Sequence, residues 1–186
     1  MKKIIATILV SALPLLGHAA YPLDKVDIDL RDKAAMQDGL KTFANYCLGC
    51  HGMKFQRYER VATDLGISEE DMMENIVFSD DVKFGDHMRT SMTDDQAKKW
   101  FGVVPPDLTL VARVRGADWL YTYLRTFYAD PSRPMGANNK VFDNVGMPNV
   151  LVALQGNQVI DCKQVPMVEK GKKVFDPLTG APITEE

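Results

Sequence analysis

Three side chains that together could hold an iron porphyrin lie within residues 47–51 of the chain. Cys47, Cys50 and His51 form a C-x-x-C-H motif, the pattern at which a c-type haem is attached. The two thiols can form thioether bonds with the haem vinyl groups, and the imidazole can bind the iron. On a helix these residues stand at i, i+3 and i+4, so all three share one face. The motif therefore predicts one covalent haem c.

Two other interpretations of the cysteines are weaker. A thioredoxin-like dithiol needs a βαβ context, whereas the residues before Cys47 have a helical pattern. A zinc site needs two further ligands, and outside the motif the processed chain offers only Cys162 and His87. We expect Cys162 to be a buried or inert thiol, with a disulfide to another subunit as the alternative.

The N-terminus has the layout of a secretory signal peptide. Lys2 and Lys3 are followed by an apolar run over residues 4–16, and Gly17 and Ala19 suit cleavage before Ala20. The run is shorter than the ~20 residues of a comfortable membrane span, although an uncleaved anchor is the alternative. We expect a signal peptide at 1–19, a single haem domain at 20–186, and export from the cytoplasm.

The composition indicates an acidic globular protein of one domain. Hydrophobic residues make up 46% of the 186 residues and charged residues 25%, which is ordinary for a soluble fold. Losing Lys2 and Lys3 with the signal peptide takes the formal charge from −3 to −5. So acidic a surface argues against a nucleic-acid partner and favours a basic protein partner.

Periodicity predicts mostly helices. We expect an extended arm at 20–30, helices at 31–47, from 69 onward, at 94–101 and at 117–128, and a long loop at 130–149. Ser68 and Thr93 are the expected helix caps. Strand signals are scarce apart from short pairs in the tail. The stripe expected to be buried on the 117–128 helix consists of Leu120, Tyr121, Leu124 and Phe127.

The second axial ligand must come from elsewhere in the chain. Thioether ligation is common in electron carriers, and most of the ten methionines are explained by packing. Met147 differs because Gly146 and Pro148 restrict its loop and let the backbone approach a haem edge. It is the favoured ligand, with Met135 and His87 as the alternatives.

Four motifs in order resemble those of cytochrome c1, the haem subunit of the cytochrome bc1 complex. They are C-x-x-C-H at 47–51, PPDLT at 105–109, RVRG at 113–116 and NVGMP at 144–148. The resemblance covers roughly residues 20–154. The 96 positions from His51 to Met147 also suit this family, because simple class I cytochromes place their two ligands closer together.

The resemblance implies an all-α fold, a class I cytochrome c-like haem domain with long insertions and loops. It implies thioethers at Cys47 and Cys50 and axial iron ligands at His51 and Met147. Three further cofactor-binding residues follow with weaker support. They are Pro106, which packs near the imidazole where a backbone carbonyl can orient its N–H, Arg115, which pairs with a haem propionate, and Trp119, a pocket residue. The alternative for Arg113 and Arg115 is that both are solvated charges at a helix end.

The family also ends with a helix that packs on the first helix and then a membrane anchor. This sequence stops at Glu186 with neither, so it is either truncated or an unanchored version of the protein. We expect truncation, with membrane association through the absent anchor. Gly39 and Phe43 are the expected surface for the last helix. An interior glycine costs about 1 kcal/mol relative to alanine, so close approach of another helix would explain Gly39.

The expected function is one-electron transfer at the periplasmic face of a bacterial inner membrane. By resemblance, haem c accepts an electron from the Rieske iron–sulfur protein and passes it to soluble cytochrome c, with cytochrome b as a further partner. The chain is not expected to be an enzyme on its own. Acidic stretches at 69–71, 80–81 and 94–95 could steer a basic carrier, or could be ordinary solvated helix starts. The alternatives are a free periplasmic cytochrome c and a haem enzyme with an open iron site.

Overall fold

The computed structural model describes residues 21–160 and, beyond them, the backbone of four two-residue strands. The expected signal peptide and Cys162 lie outside the described residues. The helices are α1 (Lys33–Tyr46), α2 (Tyr58–Leu65), α3 (Glu69–Asn75), α4 (Asp94–Phe101), α5 (Val111–Arg115), α6 (Ala117–Arg125) and α7 (Val152–Gln155). The strands are β1 (Met53–Arg57), β2 (His87–Met88), β3 (Phe127–Ala129), β4 (Ala137–Asn139), β5 (Val165–Pro166), β6 (Val168–Glu169), β7 (Lys172–Lys173) and β8 (Thr184–Glu185).

Helix α1 leads directly into the C-x-x-C-H motif. The Asp32 carboxylate accepts a hydrogen bond from the Ala35 amide and so caps the first turn. Leu40 and Ala44 are buried on the inner face, as the periodicity predicts. Apart from its chain neighbours and the backbone of its own helix, no described residue comes within 4 Å of a Cβ placed at Gly39, so the expected close approach of a helix is not made by the described part of the chain.

The larger hydrophobic core joins α1 to α2, α3 and β2. Strand β1 pairs antiparallel with β2, which brings residues on either side of α2 and α3 together. Helix α2 ends at Gly66, whose φ of 71° is left-handed, a conformation that glycine adopts without a Cβ clash. The buried members of this core are Leu40, Ala44, Leu48, Tyr58, Ala62, Met72, Ile76, Val77 and Met88.

Both predicted helix caps are confirmed. The Ser68 hydroxyl accepts from the Asp71 amide at the start of α3. Thr93 and Gln96 form a complete capping box at the start of α4, because each side chain accepts from the other residue's backbone N–H. These local hydrogen bonds explain why the helix starts could be read from the sequence.

A smaller core lies under the C-terminal half, and here two predictions were wrong. Helix α6 ends at Arg125, so Phe127 is buried on strand β3 and not on the helix. The expected loop at 130–149 contains β4, which pairs antiparallel with β3. Phe127, Ala137 and Val145 form the core, and Tyr123 and Met147 pack against it.

The buried face of α6 also differs from the predicted stripe. Thr122 is fully buried and Tyr121 is exposed. The reason is the N-terminal arm, which has no regular secondary structure over 21–29 and lies against α6. The Thr122 hydroxyl accepts from the Asp24 amide, and Asp118 accepts from the Val26 amide and the Lys25 ammonium. A polar residue is therefore covered by the arm and satisfied by hydrogen bonds.

Strands are more frequent in the body of the chain than the sequence predicted, since the β1–β2 and β3–β4 pairs both lie before residue 140. The short pairs expected in the tail are confirmed as β5–β8 and β6–β7. Among the described residues, no helix combines the length and the apolar character needed to cross a membrane.

Candidate haem site

The C-x-x-C-H motif forms a hydrogen-bonded turn after the last residue of α1. The helix ends at Tyr46, one residue before the predicted end, and the Cys50 and His51 amides both donate to the Cys47 carbonyl, at 3.0 and 2.8 Å. The second of these is an i to i+4 bond, so His51 follows Cys47 by one helical turn. The turn thus spaces Cys47 and His51 as a helix would, although the regular helix has already ended.

The two thiols are half-buried and unpaired. Burial raises the pKa of the Cys47 thiol, and the neighbouring Cys50 raises it further. Reactive dithiols need the opposite shift, because the thiolate is the nucleophile. No parallel strand pair surrounds the motif in the described part of the chain. Both observations weigh against a thioredoxin-like pair.

Zinc binding finds no support at this position. Within the described residues, no three His, Cys, Asp or Glu side chains come together in an arrangement that could hold a metal ion. His87 lies on β2 opposite Arg57.

The imidazole of His51 is oriented by a backbone carbonyl. Its Nδ1 lies 2.7 Å from the carbonyl oxygen of Pro106. A carbonyl oxygen can only accept, so Nδ1 carries the proton and Nε2 is the nitrogen available to a metal.

The PPDLT segment is fastened to the chain that follows the motif. The Leu108 amide donates to the Gly52 carbonyl at 2.8 Å, and the Lys54 amide donates to the Asp107 carboxylate at 2.7 Å. Asp107 also accepts from the Thr109 hydroxyl and amide. The Pro106 carbonyl is therefore held in place by several hydrogen bonds on one side of the imidazole.

Close packing behind the motif favours a glycine at position 52. A Cβ at Gly52 would stand 3.3 Å from the Thr90 amide nitrogen and 3.4 Å from the Met88 carbonyl oxygen. The Thr90 hydroxyl donates to the Gly49 carbonyl inside the motif. The residues around β2 thus support the motif from behind.

Met147 lies in the smaller core, where its sulfur has a polar neighbour. The hydroxyl of Tyr123 donates to the Met147 Sδ at 3.4 Å. Burial raises the pKa of Tyr123 to about 12, so the hydroxyl keeps its proton at neutral pH. Met147 is half-buried and packs against the core formed by Phe127, Ala137 and Val145.

The loop before Met147 is clamped by an arginine. Asn144 has a φ of 58°, a left-handed conformation that asparagine tolerates better than most residues. The Arg133 guanidinium donates to the Asn144 side-chain oxygen at 2.9 Å and to its carbonyl at 2.8 Å. These two bonds fix the backbone three residues before the sulfur.

Arg115 and Trp119 are neighbours on successive helices. The Arg115 guanidinium lies over the Trp119 indole, 4.9 Å from the ring centroid. Trp119 stacks on Tyr123 at 4.8 Å, so the arginine connects through two rings to the residue beside Met147. Met135 lies in the turn between β3 and β4 and is not a member of the cluster around Tyr123.

A family model describing the cytochrome c1 family matches residues 26–160. The chain belongs to the cytochrome c1 family. A relative named cytochrome c1, from Allochromatium vinosum, is 53% identical over 160 residues, which are 84% of this chain and 65% of the relative. A protein named ammonia monooxygenase gamma subunit, from Nitrosomonas europaea, is 50% identical over 151 residues, or 80% of this chain and 64% of that protein. Cytochrome c1 of Rhodospirillum rubrum is 29% identical over 122 residues, which are 55% of this chain and 44% of the relative.

Membership of the cytochrome c1 family confirms two predictions from the sequence. The fold is all-α and class I cytochrome c-like, in agreement with the mainly helical structure. Members of the family carry one covalently bound c-type haem. The chain spans a little under two thirds of the length of the first two relatives.

The residues present fit that haem. The donor set is two free thiols in one turn, an imidazole with Nε2 available, and a half-buried thioether. This is the set that a c-type haem with His and Met ligation requires.

Sequence reasoning missed three residues of the site, namely Tyr123, Arg133 and Asn144. The first had a usable signal, because Trp119, Tyr123 and Phe127 recur every four residues. Asn144 also had a weak signal, because asparagine adopts the left-handed backbone conformation more readily than most residues. Nothing local marks Arg133, because its partner lies 11 positions away in a loop.

Proposed function

We propose that this chain carries single electrons within a cytochrome bc1 complex, from the Rieske iron–sulfur protein to soluble cytochrome c. The observation that carries the proposal is the hydrogen bond from His51 Nδ1 to the Pro106 carbonyl. It leaves Nε2 as the ring nitrogen available to iron, on the residue that directly follows the turn carrying the two free thiols.

Cys47 and Cys50 would hold the haem through thioethers, and His51 and Met147 would be its axial ligands. When bound, the haem supplies a ferrous–ferric couple, and a thioether opposite an imidazole raises its potential relative to two imidazoles.

The polypeptide would hold the side chains of His51 and Met147 in fixed positions while the haem gains and loses an electron. His51 is fixed by Pro106, and the Met147 loop is fixed by the clamp of Arg133 on Asn144. Fixed ligands need little rearrangement when an electron arrives or leaves. In this proposal the chain is an electron-transfer subunit of its complex and is not an enzyme on its own.

Arg115 would pair with a haem propionate. It is exposed at the C-terminal end of α5, and its guanidinium lies over the Trp119 ring. A guanidinium can bind a carboxylate through two parallel hydrogen bonds. Trp119 would then form part of the pocket wall beneath the arginine.

Exposed acidic residues would steer a basic electron acceptor. Residues 69–71 and 94–95 form the first turns of α3 and α4, where carboxylates also interact favourably with the helix dipole. Residues 80–81 are exposed outside any helix, so the dipole does not account for them. An association rate with soluble cytochrome c that falls as salt rises would support steering, and a salt-independent rate would refute it.

We further propose that residues 1–19 direct export and that residues 20–186 form the haem domain, at the periplasmic face of the inner membrane. Cytochrome b would be the membrane partner. The apolar segment of the N-terminus supports export, and the family supports the location.

Co-purification from the native membrane tests the assembly. The tagged natural protein should be recovered in detergent with cytochrome b and the Rieske protein. Recovery alone, from the periplasmic fraction, would instead indicate a free carrier. Recovery with the subunits of an ammonia monooxygenase would instead place it in the complex for which the Nitrosomonas relative is named.

Carbon monoxide tests the ligand set and distinguishes a carrier from a haem enzyme. The reduced natural protein and a Met135→Leu control should resist carbon monoxide, because both keep Met147. Met147→Leu should bind it rapidly. Rapid binding by the unaltered protein would indicate an open iron site and would contradict the proposal.

A further inference from the structure

Tyr123 places a hydroxyl group against the sulfur proposed to bind the iron. The distance from the hydroxyl oxygen to the Met147 Sδ is 3.4 Å. A thioether has no proton, so the tyrosine is the donor and the sulfur is the acceptor. The sulfur has two lone pairs, and one remains for a metal when the other accepts this hydrogen bond.

The tyrosine ring is held firmly enough to keep this contact. Trp119 stacks on one face at 4.8 Å with an interplanar angle of 10°. Phe127 meets the ring edge-on at 5.1 Å, and Phe127 is itself only 2% exposed. The Tyr123 carbonyl also accepts from the buried Asn139 side chain at 2.7 Å. Ring and backbone are thus both fixed by neighbours other than Met147.

We propose that the Tyr123 hydroxyl sets the donor strength of the Met147 sulfur and thereby raises the reduction potential of the haem. The inference rests on the proposed function, in which Met147 is the axial ligand. Tyr123 is a positioning and tuning residue, because it acts through the sulfur and does not itself bind the iron.

The direction of the effect follows from charge. A hydrogen-bond donor withdraws electron density from the sulfur and turns the positive end of its dipole toward the iron. Both effects oppose the extra positive charge of the ferric state and favour the ferrous state. Removing the hydroxyl should therefore lower the reduction potential, and it should strengthen the bond between sulfur and ferric iron.

The test is Tyr123→Phe in the haem-loaded protein, which keeps the ring stack and removes one oxygen atom. Tyr121→Phe is the matched control, since Tyr121 lies on the same helix, is exposed and packs against Arg125. In Tyr123→Phe we expect the one-electron equilibrium to shift toward the oxidised form by up to about tenfold, which is ~59 mV. The near-infrared charge-transfer band of the ferric form should also move, while the control keeps the natural potential and band.

The inference is overturned if Tyr123→Phe keeps the natural potential and band, or if both variants change equally. An unaltered near-infrared band in Met147→Leu would instead show that Met147 does not bind the iron. That result would refute the proposed function as well as the role of Tyr123.

A second measurement needs no variant. In the unaltered ferrous protein, proton NMR should show a slowly exchanging tyrosine hydroxyl proton with a nuclear Overhauser effect to the ligand methionine methyl group. A well-resolved ligand methyl signal with no such neighbour would also overturn the inference.

Discussion

The imidazole Nδ1 of His51 lies 2.7 Å from the carbonyl oxygen of Pro106, although 55 positions separate the two residues. This bond joins the C-x-x-C-H turn to the PPDLT segment. Neighbouring hydrogen bonds from Leu108 to Gly52 and from Lys54 to Asp107 make the same connection. The orientation of the proposed proximal ligand therefore depends on how firmly residues 105–109 are docked.

Asp107 should make this docking sensitive to acid. Burial alone would raise the pKa of its carboxyl group, but hydrogen bonds from Thr109 and the Lys54 amide outweigh it, and the pKa lies below the usual 3.8. A carboxylate with a lowered pKa in the folded state stabilises the fold above its unfolded pKa. That stability is lost as the pH falls through the lowered value.

Asp107→Asn should therefore be less stable than the natural protein at neutral pH, and the difference should shrink below about pH 4. Unfolding by denaturant at a series of pH values measures it. Asp27→Asn, at an exposed position, is the control and should change the stability little. A constant difference for Asp107→Asn across the acid range would disprove the role given to its carboxylate.

The Arg133 clamp should hold the Met147 loop in place. Arg133→Ala removes both hydrogen bonds to Asn144 and should lower the free energy of unfolding by about 1–3 kcal/mol. Added imidazole should also displace Met147 from the ferric protein at lower concentrations. Arg60→Ala is the control, because Arg60 forms an exposed i,i+4 ion pair with Asp64, and exposed pairs contribute little to stability. Equal imidazole titrations for the two variants would count against the clamp.

The two cores should respond differently to large-to-small substitution. Phe127→Ala should cost about 3–5 kcal/mol and Met72→Ala about 2–5 kcal/mol, since both side chains are buried. Only Phe127 belongs to the cluster around Met147. Denaturant unfolding should thus show similar losses, whereas the near-infrared spectrum should change only in Phe127→Ala. A matching spectral change in Met72→Ala would show that the cores are not independent.

Local signals in the sequence predicted the helix starts and the helical spacing of the motif, although a turn and not a helix carries it. Ser68 and Thr93 cap helices through contacts three residues away, and Cys47 to His51 spans one turn. Contacts between residues only three or four positions apart can be recognised from a short stretch of sequence. The Met147 loop was also recognisable, because Gly146 and Pro148 limit its backbone whatever lies around it.

Long-range pairing accounts for what the sequence did not predict. Strand β2 has two residues, too few to show alternation, and its partner β1 lies some 30 positions earlier. Thr122 is fully buried where the N-terminal arm contacts α6, and the amide of Asp24 donates to its hydroxyl. The clamp of Arg133 on Asn144 depends in the same way on how the folded chain brings two loops together.

The central claim is that His51 and Met147 are the two axial ligands of one haem. The most direct measurement is the near-infrared magnetic circular dichroism of the ferric protein, compared among the natural chain, Met147→Leu and Met135→Leu. The natural chain and Met135→Leu should share the charge-transfer band of histidine–methionine ligation, and Met147→Leu should lose it. Retention of that band in Met147→Leu would contradict the account.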